Sequence, residues 1–204
     1  MGDYKDALNR EEMQKLGITH ILVVALGIEP NMPKDFRYMT VRAQDHDSQD
    51  LLSYLGPIHR FIDEGRKSGG ILVHCKVGQS RSVMITTSYV MKEKDWSLIE
   101  ALEFVAQARP RVRPRATFKD QLDAYHVSHY DLTQAELQAF TSNYPNKAQL
   151  AIWPATGDAE GSVEYLLQPL WVKEDPWREG WDAVVHLFMD FFNRYLRLDR
   201  KSVV

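Results

Sequence analysis

Cysteine is almost missing from this chain, with one residue, Cys75, among 204. A single thiol forms no internal disulfide and no cysteine-rich zinc site, and a secreted domain of this size more often carries paired cysteines. A reducing setting, cytosolic or nuclear, is therefore expected. Positive charge is also in short supply, with 25 lysines and arginines against 28 acidic residues and a net charge of −3. That balance argues against nucleic acid as a partner, which usually leaves a basic face or tail. No apolar run approaches the roughly 18 residues of a membrane span, so no membrane partner is expected. The opening "MGDYKDALNREEMQ" has no basic segment followed by an apolar one and does not read as a secretory leader. Internal repeats and low-complexity tracts are absent as well.

What is present is ordinary globular composition, 44% hydrophobic and 26% charged, arranged in alternating strand and helix patterns. Asn9 and Glu12 have capping-box spacing, and Gly17 is placed to end a short helix over about 10–16. "ITHILVVAL" (18–26) reads as a buried strand, "FRYMTVRA" (36–43) as a partly covered one, and "GGILVHC" (69–75) as a third. Between the last two, Ser48 is placed to cap a helix carrying Leu51, Leu55, Ile58 and Ile62, in which Pro57 predicts a kink or a late start. Helices follow over 82–94, from Ser97 to Ala108 behind a capping box with Glu100, and over 116–126.

The alternation predicts an α/β fold, a central mixed and mainly parallel sheet flanked by helices. It stops near residue 128, which suggests one module over 1–128 and a mainly helical extension over 129–204. Within the extension, 143–162 is rich in turn formers and reads as a long connection. Trp177, Trp181, Val184, Phe188, Phe191 and Tyr195 share one face of an amphipathic helix expected over about 177–198.

The lone cysteine sits in "VHCKVGQSRS" (73–82), between a strand and a helix. An arbitrary free cysteine is usually a small buried hydrophobe. A loop entering a helix N-terminus, however, gathers backbone N–H groups and the positive end of the helix dipole, which suit an oxyanion and a thiolate alike. Gly78 lets that loop turn in closely. Arg81, six residues after Cys75, offers a planar fork of donors to two phosphate oxygens.

The whole string, strand, His-Cys, glycine at the third following position, Ser-Arg-Ser and helix, resembles the signature of the cysteine-dependent protein phosphatases in their dual-specificity form. "GITHIL", "FIDEG", "YVMKEKDWSLIEALEFV" and "RPRVRPRATFKDQL" extend the resemblance over about residues 2–127. The resemblance implies Cys75 as nucleophile, Arg81 as phosphate clamp, Ser82 as hydrogen-bond donor to the departing sulfur and His74 as support for the loop. Lys76, Val77, Gly78, Gln79, Ser80 and Arg81 would cradle the phosphate. The family's general acid lies on a loop about thirty residues before the cysteine. "VRAQDHDSQD" (41–50) offers Asp45, Asp47 and Asp50 there. Asp45, directly after the second strand, is the choice, with Asp47 and Asp50 read as solvated loop carboxylates, one of them a cap.

No metal and no cofactor is implied by such a mechanism, and the partner implied is a phosphorylated protein. A lipid or RNA phosphatase shares the chemistry, although lipid specialists often carry extra loop lysines and only Lys76 is here. A phosphate-binding adaptor is the reading from another class. Two departures stand out. No stretch before Gly17 reads as the strand that usually leads the family, so an exposed sheet edge is expected. Arg115 stands where the family commonly has asparagine. The run "RPRVRPR" (109–115) holds four arginines, fit either to draw acidic substrates or to be a solvated loop. Nothing in the sequence sets an oligomeric state.

Overall fold

The computed structural model describes residues 1–153. The elements run α1 (Arg10–Lys15), β1 (Ile18–Val24), β2 (Arg37–Arg42), α2 (Leu55–Ser68), β3 (Gly70–His74), α3 (Arg81–Lys94), α4 (Leu98–Ala108), α5 (Ala116–Val127), α6 (Gln134–Thr141) and β4 (Gln149–Trp153). The sheet order is β3-β1-β2-β4. β1 lies parallel to both β2 and β3, while β4 runs antiparallel to β2. The sheet is therefore mixed and mainly parallel, with helices around it.

From Ile21 onward β1 reads as an unbroken apolar run because both of its faces are covered there, as is usual for parallel strands. Side chains alternate across a strand. Leu22 and Val24 enter the larger core, with Ile58, Phe61, Met84, Ile85, Phe118 and Leu122 from the helices. Ile21 and Val23 enter a smaller one with Met13 of α1, Phe36 and Tyr38. Each such side chain contributes roughly 1.5–3 kcal/mol on full burial.

Local signals act as their chemistry predicts. Asn9 accepts from the Glu12 N–H at 3.1 Å to cap α1, and Gly17 follows at φ +67°. Ser97 and Glu100 form a reciprocal capping box at the start of α4. Pro57 falls in the first turn of α2, where a missing N–H leaves no helical bond unmade, so the helix starts late. Ser48 does not cap it. A 3₁₀ turn, Leu52–Tyr54, leads into α2 instead, and the Ser48 hydroxyl contacts His46 and Asn146.

Two elements were not expected. α6 begins at Thr133 with a capping box to Glu136, and 143–162 is not merely a connection, since β4 adds a strand to the sheet there. Tyr38 pairs with Trp153 and Val41 with Leu150. "QLAIW" is short and apolar, a pattern that only the available β2 edge turns into a strand. On the other side β3 is the edge, covered by a single parallel bridge from Gly2 to His74 and a bond from the Gly2 N–H to the Val73 carbonyl at 2.9 Å. The amphipathic helix expected over 177–198 lies outside the described residues.

Candidate active site

β3 ends at His74 and α3 begins at Arg81, so Cys75–Ser80 form a tight loop at the carboxyl end of the parallel strands. Gly78 takes φ +73°, a left-handed conformation that lets the loop turn tightly toward α3. Cys75 is 1% exposed. Its Sγ accepts from the Gly78 N–H at 3.2 Å and from the Ser82 hydroxyl at 3.3 Å. Burial raises the thiol's pKa, but the Ser82 hydroxyl and the N–H groups of Ser82, Gly78 and Val77 outweigh it and hold it below the ordinary value.

Arg81 is buried, with Nη1 donating to the Ala43 carbonyl at 3.0 Å. Its Nε makes no hydrogen bond among the described residues and stands 3.8 Å from Asp45 Oδ2. The β2 end, which supplies Ala43, thus orients the guanidinium beside the thiol loop. His74 is buried too, and its Nδ1 lies 3.2 Å from the Cys75 carbonyl, which can only accept, so the proton sits on Nδ1. Burial lowers the pKa of this imidazole.

Asp45 follows β2 as expected. Its Oδ1 accepts from the Ser80 hydroxyl and from Arg115 Nε, both at 2.9 Å. Lys76 and Val77 are exposed, Gln79 is half-buried, and the Gln79 carbonyl accepts from the Arg113 N–H at 2.7 Å. The fold therefore brings Cys75, Arg81, Ser82, the 76–80 loop and Asp45 together, with His74 behind them.

The other two aspartates part company. Asp47 is exposed and accepts from Arg115 Nη1 at 3.1 Å and from the Thr117 hydroxyl at 3.4 Å. Asp50 is not a solvated carboxylate, being 0% exposed. It caps the 3₁₀ turn through the Ser53 N–H at 3.1 Å and takes an ion pair from Lys147 Nζ at 2.8 Å. The arginine run is divided as well. Arg109 pairs with Asp3 and Asp6 and Arg115 with Asp45 and Asp47, while Arg111 and Arg113 are exposed.

Sequence reasoning passed over Gln49, Gln121, Asn146 and Lys147. Gln121 of α5 is buried, accepts from the Leu51 and Leu52 N–H groups at 3.0 Å each, and donates to the Gln49 carbonyl at 2.9 Å. A glutamine among apolar helix positions was its one visible trace.

Residues 1–128 match the model of the family described as dual specificity phosphatase, catalytic domain. The chain is similar to the mouse protein phosphatase Slingshot homolog 3, with 42% identity over 126 residues, covering 61% of this chain and 19% of that one. It is also 41% identical over 123 residues to the dual specificity protein phosphatase 1 of Arabidopsis thaliana, covering 60% of this chain and 62% of that one. It thus spans less than two thirds of the length of these curated relatives. Among solved structures, the human tyrosine phosphatase-like serine/threonine/tyrosine-interacting protein superposes with a TM-score of 0.62 at 28% identity, over 64% of this chain and 92% of that one. The Yvh1 phosphatase domain from Chaetomium thermophilum gives 0.58 at 27% identity, over 64% and 92%.

Proposed function

Given that this chain belongs to the dual-specificity phosphatase family, we propose that it hydrolyses phosphotyrosine and phosphoserine or phosphothreonine monoesters in proteins through a phosphocysteine intermediate. One observation carries the reading. The Cys75 sulfur accepts from the Gly78 N–H of the loop and from the Ser82 hydroxyl at the start of α3, next to Arg81, whose buried Nε has no hydrogen-bond acceptor among the described residues. A tetrahedral oxyanion supplies the acceptor that such a guanidinium fits.

In this reading the Cys75 thiolate attacks phosphorus, and an S–P bond forms as the ester P–O bond breaks. Arg81 and the N–H groups of residues 76–81 hold the three non-bridging oxygens, whose charge is what the site must stabilise. Asp45 delivers a proton to the leaving oxygen, a step worth typically 10²–10⁴-fold. Water then attacks phosphorus and gives its proton to the Asp45 carboxylate. The thiolate departs with the Ser82 hydroxyl donating to it, and inorganic phosphate is released. The names of the curated relatives support a protein substrate, and Lys76 as the loop's one lysine supports it over a phosphoinositide.

The test is hydrolysis of a fluorogenic aryl phosphate, a phosphotyrosine peptide and a phosphothreonine peptide in EDTA by wild type, Cys75→Ser, Asp45→Ala and Asp47→Ala. Turnover by wild type, none by Cys75→Ser, and loss of peptide activity only with Asp45→Ala is the expected pattern. A wild type that binds vanadate but turns over nothing sinks the proposal in favour of phosphate binding alone.

A further inference from the structure

We propose that residues 144–153, beyond the stretch that matches the family, form a strap that sets the position of the Asp45 loop, with Asn146 and Lys147 as positioning residues for proton transfer. The inference rests on the reading of Asp45 as general acid.

β4 is laid antiparallel along β2, with Gln149 opposite Arg42, so the strap runs beside the strand that delivers the acid loop. Just before β4 the chain turns against residues 48–50. The Asn146 N–H donates to the Ser48 carbonyl at 3.0 Å, and its side-chain amide donates to the Ser48 hydroxyl at 2.7 Å. The Asn146 carbonyl accepts from the Asp50 N–H at 2.8 Å and from Gln49 Nε2 at 2.7 Å. Lys147 Nζ reaches Asp50 at 2.8 Å and the Thr141 carbonyl at 3.2 Å.

Gln49 makes the connection to the acid. Its amide donates to Asn146 at one end, while its Oε1 accepts from the Gln44 N–H at 2.8 Å, one residue from Asp45. Gln49 and Asp50 are 1% and 0% exposed, so water does not replace these partners without opening the loop. Tyr144, Ala148 and Leu150 are buried and fix the strap itself. Gln121 pins the far end of the loop, at 49–52, from α5. The near end, at 44–48, is also held by the half-buried Arg115 and Thr117 and by the buried Ser80. The strap adds its bonds at Ser48, Gln49 and Asp50 to that support, and a misplacement of about 1 Å at a reacting group can cost on the order of 10²-fold.

A brace that only covered the β2 edge would affect stability and nothing else. The distinguishing readout is leaving-group dependence, because an activated aryl phosphate needs little proton help and a phosphothreonine needs much. In the full chain, Asn146→Ala/Lys147→Met is expected to lower kcat/KM for a phosphothreonine peptide by roughly ten-fold or more while an activated aryl phosphate changes by less than about two-fold. Lys147→Arg should restore most of the loss, and exchange of the Asp50 amide should quicken in the double variant. Asp45→Ala is the reference in the same assay. If Asp45→Ala separates the two substrates and the strap variant does not, the strap proposal alone is overturned. If Asp45→Ala does not separate them either, the acid assignment fails and the strap falls with it. Equal losses on both substrates with a lowered Tm reduce the strap to a brace and also overturn the proposal. Should the double variant not fold, Gln49→Met decides, because it removes both the donor to the Asn146 main-chain carbonyl and the acceptor for the Gln44 N–H, with about three-fold selective loss expected and none overturning the proposal.

Discussion

Arg115 Nε donates to Asp45 Oδ1 at 2.9 Å, so an arginine standing where the family commonly has asparagine grips the candidate acid. The Arg115 and Asp45 side chains are 38% and 37% exposed, so the ion pair itself contributes about 1 kcal/mol or less to stability. Loss of position can cost far more. Arg115→Ala is therefore expected to lower phosphothreonine-peptide turnover several-fold while shifting Tm by no more than about 4 °C. Steady-state kinetics and a thermal melt check this, and unchanged or raised peptide turnover defeats it.

Ser82 Oγ lies 3.3 Å from Cys75 Sγ and is the first of the donors that hold the thiol's pKa down. Ser82→Ala removes that donor and leaves burial in place, so the thiol titrates at higher pH. The rate of iodoacetate alkylation against pH should show its midpoint displaced upward in the variant. A midpoint that stays put would mean that the loop N–H groups act alone.

Much of this site was legible because a strand, a cysteine, a glycine at positive φ and an arginine at the helix start each act over a few residues. The place of Asp45 directly off β2 was legible, while its choice as candidate acid came from the resemblance to the family. What escaped were partners distant in sequence. Nothing near Asn146 shows that its carbonyl will meet Gln49 Nε2, 97 residues away, because that contact exists only once β4 has found the β2 edge. Asp50 reads as a solvated carboxylate until Lys147 comes beside it. α6 is different, since Thr133 and Glu136 carry a capping box as plain as that of Ser97 and Glu100. Its apolar positions are too few to draw notice.

Gly78 bears on both conformation and space. A Cβ there would sit 2.7 Å from the Gly2 carbonyl oxygen and 2.8 Å from Arg109 Nη2, at φ +73°. The arginine tip can swing aside, but the Gly2 backbone is tied to β3 through the Val73 carbonyl. Gly78→Ala should cost about 1–3 kcal/mol and weaken vanadate binding as well as lower Tm, since the loop that the Cβ would distort is the proposed anion cradle. Isothermal titration of vanadate beside a melt measures both, and near-wild-type binding would exclude the stated geometry.

His59 makes the fold sensitive to acid. The Ser88 hydroxyl donates to the Ile85 carbonyl at 2.8 Å, so its oxygen is left to accept from His59 Nε2 at 2.9 Å. That places the imidazole proton on Nε2 and leaves Nδ1 to face the Tyr125 hydroxyl at 3.5 Å. A second proton on Nδ1 would confront the Tyr125 O–H and a buried surround. Burial, helped by Lys92 and opposed by Asp63, pulls the pKa from 6.5 to about 4. With the folded value depressed, the unfolded chain takes up the proton first as pH falls. Stability is full above about 6.5 and declines between 6.5 and 4, by up to about 3 kcal/mol for this residue. His20, likewise lowered to about 4 by burial and then by Arg37, adds a decline of the same sign. Urea unfolding of wild type and His59→Gln at pH 7.5, 6 and 5 separates them, because the carboxylates and His20 are common to both. The variant should start less stable and lose less on acidification. Parallel pH curves for the two proteins would show that His59 already titrates near its ordinary value in the folded state.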